Sequence, residues 1–242
     1  MRRVSVIIPA RYGASRFPGK PLAPLAGKPL ISHVIERAQR ARGVDQVVVA
    51  TDDERIAAVA RGCGALAVLT GPAATGTDRV AEAARALSPR PDVVVNLQGD
   101  EPLIEPEAIE ALLEAMRDPA VRMATLARPL ADGELERAHV VKVVCALNGD
   151  ALYFSRAAIP HRRDGGRSAL ARAHVGVYAF REAFLQEFTA LQPGRLERDE
   201  ALEQLRALEH GHRVRVVETS HRGFGVDTPE DLERARGILA GA

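Results

Sequence analysis

The sequence predicts an α/β fold: a mostly parallel, mixed sheet with helices on both faces and a smaller, inserted antiparallel subregion. Three observations carry this expectation. Short β-branched runs alternate with stretches of helical period through the first half of the chain. Those runs are continuously apolar, as strands buried on both faces must be. Beyond about residue 120 the alternation gives way to strands joined by loops.

Taken in order, Val4–Ile8, Gln46–Ala50, Ala65–Leu69 and Val93–Leu97 read as the parallel strands. The clearest helix is Pro29–Arg40, where Leu30, Ile31, Val34, Ile35 and Ala38 share one face. Right-handed crossovers between such units would complete a Rossmann-like doubly wound core. In the second half Val121–Ala127, Val140–Ala146 and His174–Phe180 read as strands, some of them antiparallel, and Glu197–Glu209 and Thr228–Leu239 as helices. "HRRDGGRS" (His161–Ser168) reads as a flexible loop. With no low-complexity linker, the expectation is one domain over residues 1–242.

Composition narrows the function classes. A hydrophobic content of 46% with 27% charged residues is that of an ordinary globular protein. A net charge of +1 and only 4% aromatic residues argue against a nucleic-acid partner. Cys63 and Cys145 lie among valine and alanine with no metal-like spacing, and read as small buried hydrophobes in a reducing cytosol. The apolar run at the amino terminus is too short for a secretory signal, and no stretch could span a bilayer, so the expected location is the cytoplasm.

Ligands of open α/β sheets bind beyond the carboxyl ends of the strands. Four stretches fall there: "PARYGASRFPGKPL" (Pro9–Leu22), "ATDD" (Ala50–Asp53), "GPAATGTDR" (Gly71–Arg79) and "QGDEP" (Gln98–Pro102). The first is not a Walker A motif, because five residues separate Gly13 from Gly19 and Pro21 follows Lys20 where Ser or Thr would hold magnesium. It nonetheless has what anion binding requires. Gly13 and Gly19 let backbone amides approach phosphates, and Arg11, Arg16 and Lys20 can offset much of a triphosphate's charge. Asp100, at a strand end facing such a triphosphate, suits Mg²⁺, which takes one or two carboxylates plus phosphate oxygens and water. In "GFGVDTPEDL" (Gly223–Leu232), Thr228, Pro229 and Asp231 have the spacing of a helix cap. That capping leaves Asp227 unexplained and available as a second carboxylate. On a strand, His174, Gly176 and Tyr178 share a face odd for a core, suited to a polar ligand or, for His174, to a structural role with its hydrogen bonds satisfied. In the helix after Glu197, Leu202, Leu205 and Leu208 form the buried seam, with Glu203 and Gln204 off it.

These residues resemble those of the sugar nucleotidyltransferases, and among them the 3-deoxy-manno-octulosonate (Kdo) cytidylyltransferases. The likeness runs nearly end to end, through "IIPARYGASRFPGKPL", "TGTDR", "VNLQGDEPLI", "VVKVV", "ALYFSRAAIP", "HVGVYAFR", "LEQLRAL" and "GVDTPEDLERAR" in that order. It implies a nucleotidyltransferase fold with a nucleotide-binding half over about residues 1–120 and a sugar-binding and dimerisation subregion over about 121–220. It implies transfer of CMP from CTP to the anomeric hydroxyl of Kdo with release of pyrophosphate, for lipopolysaccharide biosynthesis. Mg²⁺ would be the cofactor, and the protein a homodimer. Ala10, Arg11, Ser15, Arg16, Lys20, Thr75, Gly76, Arg79 and Gln98 would bind CTP. Asp100 and Asp227 would hold the metal and, with Lys20, serve catalysis. Gln98, Arg156, His174, Tyr178, Glu203 and Gln204 would line the sugar side. The chain departs from the family's "HxSGTDR" pattern in carrying Ala73 and Ala74 before Thr75, and its loop after Ile159–Pro160 lacks the usual aromatic residue.

The alternatives are a related transferase acting on 8-amino-Kdo, sialic acid or methylerythritol phosphate, a P-loop NTPase, and an inactive nucleotide-binding protein. "ALYFSRAAIP" speaks against most of the first group, though not against an amino-Kdo. Pro21 speaks against the second, and the intact Arg11, Lys20, Asp100 and Asp227 against the third.

Overall fold

The structure is a computed structural model that describes residues 2–13, 17–165 and 168–241. The chain divides into two compact units, Met1–Glu110 with Gly223–Ala242, and Ala111–Arg222. Ser15 and Arg16 of the opening loop, and Gly166 and Arg167 of the expected flexible loop, lie outside the described residues.

In the first unit, β1 (Val4–Ala10) is buried at all seven positions. It is followed by the two-residue strands β2 (Pro24–Leu25) and β3 (Lys28–Pro29), helix α1 (Leu30–Arg40), β4 (Gln46–Thr51), α2 (Glu54–Gly62), β5 (Leu66–Leu69), α3 (Gly76–Ala86) and β6 (Val93–Asn96). Strands β6-β1-β4-β5 hydrogen-bond in that order, every pair parallel. Helices α1, α2 and α3 pack against them. Val6, Ile7 and Ile8 are wholly buried, each contributing about 1.5–3 kcal/mol. The strands expected from the β-branched runs are thus all present, and the helical face of Leu30, Ile31, Val34, Ile35 and Ala38 is wholly buried.

Local capping fixes where three helices start. Asp53 accepts from the Arg55 amide at the head of α2, and Thr75 with Asp78 forms a capping box at the head of α3. Thr228 with Asp231 does the same for α8 (Pro229–Ala240), with Pro229 at its first turn, as the sequence predicts.

α4 (Pro106–Ala115) carries the chain into the second unit. There β7 (Met123–Pro129), β8 (Lys142–Cys145), β9 (Ala151–Ser155), β10 (Arg172–Arg181) and β11 (Arg215–Glu218) form a mixed sheet. β7–β10, β10–β8 and β8–β9 are antiparallel, and β11–β7 is parallel. Helices α5 (Glu182–Ala190), α6 (Arg195–Glu200) and α7 (Leu205–Glu209) complete it.

Two expectations are corrected. The single helix expected over Glu197–Glu209 is two, because Ala201 takes a left-handed conformation (φ 50°) that ends α6. A nearly buried ion pair, Arg206 to Glu197 at 2.5 Å, ties the two pieces across the break. The cysteines are not buried: Cys63 is half-buried at the end of α2 and Cys145 is exposed on β8. Among the described residues no helix is long and apolar enough to cross a membrane.

Candidate active site

The loop after β1, the start of α3, the loop after β6 and the segment before α8 enclose a cavity of about 410 Å³ in the first unit. Ala10, Arg11, Lys20, Thr75, Gly76, Arg79, Gln98, Asp100 and Asp227 all line it, together with Ala73 and Ala74. Nine sequence-predicted residues, scattered from position 10 to position 227, therefore meet in one place.

Two glycines make this possible. Gly19 has φ 74°, a backbone region that costs other residues energy, and its amide donates to the Tyr12 carbonyl at 2.8 Å. The loop thereby folds back and delivers Lys20. A Cβ at Gly99 would sit 2.9 Å from the Pro9 carbonyl oxygen, so only glycine lets the loop after β6 lie this close to β1.

Lys20 Nζ donates to Asp100 Oδ2 at 2.7 Å and to Asp227 Oδ1 at 3.3 Å. Two hydrogen bonds from backbone amides bring Asp227 to this point. The Val226 amide donates to the Asp100 carbonyl at 2.8 Å, and the Phe224 amide donates to Glu101 Oε2 at 2.9 Å. Burial pushes the Glu101 carboxyl up to about 7; the charges of Asp100 and Asp227 add to this, while the Phe224 amide and Lys20 oppose it. Glu101 stands inside "QGDEP", but the motif alone does not announce its bond to the Phe224 amide.

The two aspartates converge on one cation and offer hard carboxylate oxygens, which fits Mg²⁺. Among the described residues no group of three or more His, Cys, Asp or Glu side chains is placed to hold a metal.

Other cavity residues are already engaged. The buried Arg79 guanidinium donates to Asp52 at 2.8 Å and to the Thr70 hydroxyl. The Thr75 hydroxyl is held by the α3 capping box. Arg11 is exposed.

In the second unit, His174 and Tyr178 lie on the same face of β10, their ring centroids 5.5 Å apart. The alternation expected for this strand holds: Ala173, Val175, Val177 and Ala179 are buried. Enclosure lowers the His174 imidazole to about 3, so the ring is neutral at ordinary pH. Burial, reinforced by Glu203, pushes the Tyr178 phenol well up. The Tyr178 hydroxyl donates to Gln204 Oε1 at 3.1 Å. Gln204 is 3% exposed, not solvated as its place off the leucine seam suggested, because the break at Ala201 turns it inward. Its Nε2 is buried and has no hydrogen-bond partner among the described residues.

Glu203 lies 3.8 Å from Arg206. The Arg156 guanidinium donates to the carbonyls of Glu200 (2.7 Å), Ala138 and Ala201 (both 3.3 Å). Lys142, fully buried, gives its ammonium to the carbonyls of Arg137, Val140 and Arg156. Neither Lys142 nor Thr125, which lies 2.9 Å from His174 Nε2, was singled out from the sequence.

A cation-bearing glycine loop after the first strand of a parallel sheet, with two converging carboxylates opposite it, suits a nucleotide-dependent transferase. The family model for cytidylyltransferases matches residues 5–216, and the chain belongs to that family. A 3-deoxy-manno-octulosonate cytidylyltransferase from Anaeromyxobacter dehalogenans (strain 2CP-1 / ATCC BAA-258) is 77% identical over 240 residues, covering 99% of both chains. One of the same name from Myxococcus xanthus (strain DK1622) is 49% identical, covering 98% of this chain and 96% of its own. A solved structure of CMP:2-keto-3-deoxy-manno-octonic acid synthetase complexed with CTP superposes with a TM-score of 0.92 at 43% identity, covering 99% of each chain. The 4-diphosphocytidyl-2C-methyl-D-erythritol synthase of Anaerococcus prevotii, at 15% identity and a TM-score of 0.67, shares the fold.

Proposed function

We propose that the protein transfers CMP from CTP to the anomeric hydroxyl of Kdo, releasing pyrophosphate and giving CMP-Kdo for lipopolysaccharide biosynthesis in the cytoplasm. The observation that carries this reading is the meeting of Lys20 with Asp100 and Asp227 in the cavity of the first unit. The name shared by relatives up to 77% identical supports the choice of acceptor.

The chemistry follows from charge. In-line displacement at the α-phosphate develops negative charge on the pyrophosphate as it leaves. Arg11 and Lys20, with Ser15 and Arg16 of the same loop, supply the positive charge and hydrogen bonds that hold the triphosphate. Thr75 and Gly76 add the amino-terminal end of α3, whose dipole favours an anion. Arg79, locked by Asp52 and Thr70, gives the nucleotide a rigid wall, and Gln98 contributes an amide beside it. Asp100 and Asp227 would hold Mg²⁺, which when bound adds positive charge at the phosphates and makes the attacking hydroxyl more acidic. Glu101 keeps Asp227 in register with Asp100 through the Phe224 amide. No covalent intermediate on the protein is needed.

In the second unit, His174, Tyr178, Glu203 and Gln204 would receive the sugar acid. Arg156, bound to three backbone carbonyls, shapes that wall. Homodimerisation belongs to this reading and is supported by the exposed side chains Leu147, Leu152 and Leu170.

The test is product identity. Purified protein given CTP, Mg²⁺ and Kdo should yield a CMP-Kdo mass and a phosphodiester ³¹P signal. A product with 8-amino-Kdo but none with Kdo would keep the chemistry and replace the acceptor.

A further inference from the structure

The ladder between β7 and β10 shifts register between Val175 and Tyr178, leaving Gly176 and Val177 without a partner in it. Thr125 of β7, fully buried, sits at that irregularity. Its hydroxyl lies 2.9 Å from the Val177 carbonyl, 3.3 Å from the Val175 carbonyl and 2.9 Å from His174 Nε2. A hydroxyl has one proton, and the two carbonyls can only accept. With that proton on the Val177 carbonyl, Thr125 must accept from His174, which places the imidazole proton on Nε2. The neutral ring then carries its lone pair on Nδ1, which bonds no protein group among the described residues.

A second observation points to a ligand at the same place. Gln204 accepts from the Tyr178 hydroxyl, which fixes its amide, and its buried Nε2 has no partner among the described residues. A buried, unmatched donor is costly unless something else fills it. The ring centroids of Tyr178 and His174 lie 5.5 Å apart, so the unmatched donor and the unmatched acceptor stand on neighbouring side chains.

We infer that Thr125 is a positioning residue: it holds His174 as the Nε2–H tautomer, so that Nδ1 accepts from a hydroxyl of the acceptor sugar acid while Gln204 Nε2 donates to one of its oxygens. This rests on the proposed acceptor chemistry, but the tautomer itself is read without any substrate.

The test is ¹⁵N NMR of histidine-labelled full-length protein, with the His174 resonances assigned by their absence in His174→Gln. The expected wild-type spectrum shows the Nε2–H form, and Thr125→Val loses that single form. The Michaelis constant for Kdo should then rise about three- to tenfold, as for one lost hydrogen bond, with that for CTP and kcat little changed. Thr125→Ser should restore both readouts. An Nδ1–H form in the wild type, or an unchanged Thr125→Val spectrum, overturns the inference. Should Thr125→Val fail to fold, the wild-type spectrum and the Thr125→Ser constants decide. A correct tautomer in a protein that turns over no sugar acid would refute the acceptor role and the proposed function together, whereas a wrong tautomer in an active enzyme would refute only the inference.

Discussion

The two units assemble polar groups by opposite means. In the first, full charges meet in an open cavity: Lys20 is bracketed by Asp100 and Asp227, and backbone amides hold the acidic segments in place. In the second, two neutral pairs, Thr125 with His174 and Tyr178 with Gln204, share hydrogen bonds within the sheet, and the rings of His174 and Tyr178 lie side by side. The difference suits different ligands. A triphosphate needs countercharge, which works in water-accessible surroundings with a metal. A sugar's hydroxyls are told apart by fixed donors and acceptors, which discriminate best when buried.

Substitutions should therefore break the two units differently, and the largest effect belongs to the first. Asp100→Asn or Asp227→Asn should lower kcat on the order of 10²–10³-fold with thermal stability little changed, measured as pyrophosphate release beside a melting curve. Gly99→Ala comes next: its methyl would press on the Pro9 carbonyl and should cost about 1–3 kcal/mol in denaturant titration. A Cβ at Gly176 in the second unit meets nothing within 4 Å, so Gly176→Ala should leave stability near wild type. Gln204→Leu should raise the Michaelis constant for Kdo about three- to tenfold without changing that for CTP, since it removes an unmatched donor rather than a charge.

The smallest effects concern pH. His174 has a folded pKa near 3 against an ordinary 6.5, so its unfolded form binds the extra proton. Its contribution to stability is complete above about 6.5 and lost as pH falls toward 3. Glu101, raised from 4.5 to about 7, has the opposite sign: its contribution is complete below 4.5 and lost as pH rises through 7. Unfolding titrations without divalent cation should show His174→Gln flattening the loss of stability on acidification below 6.5, and Glu101→Gln flattening the loss of stability as pH rises from 4.5 to 7.

What the sequence made legible was local. The apolar runs, the Thr228–Asp231 cap and the four strand-end stretches declare themselves within a few residues, and they brought together the cavity of the first unit. Spacing alone could not show that Arg79 is spoken for by Asp52 and Thr70, because those partners lie 27 and 9 residues away. The second unit was harder to read for the same reason. Gln204 is buried because of one left-handed residue, Ala201, that no helical period announces. Cys145 looks apolar in sequence yet lies exposed on β8. Thr125 gains its place from a register shift in the neighbouring strand. Strand β11, short and half-buried, alternates too weakly to stand out.

The central claim is that CTP is consumed only when the acceptor is present. Pyrophosphate release by the purified protein should be measured with Mg²⁺ and CTP, with and without Kdo. Release should occur only with both substrates present and should be nearly abolished in Asp227→Asn. Release from CTP alone at the same rate, or none with any sugar acid, would contradict it.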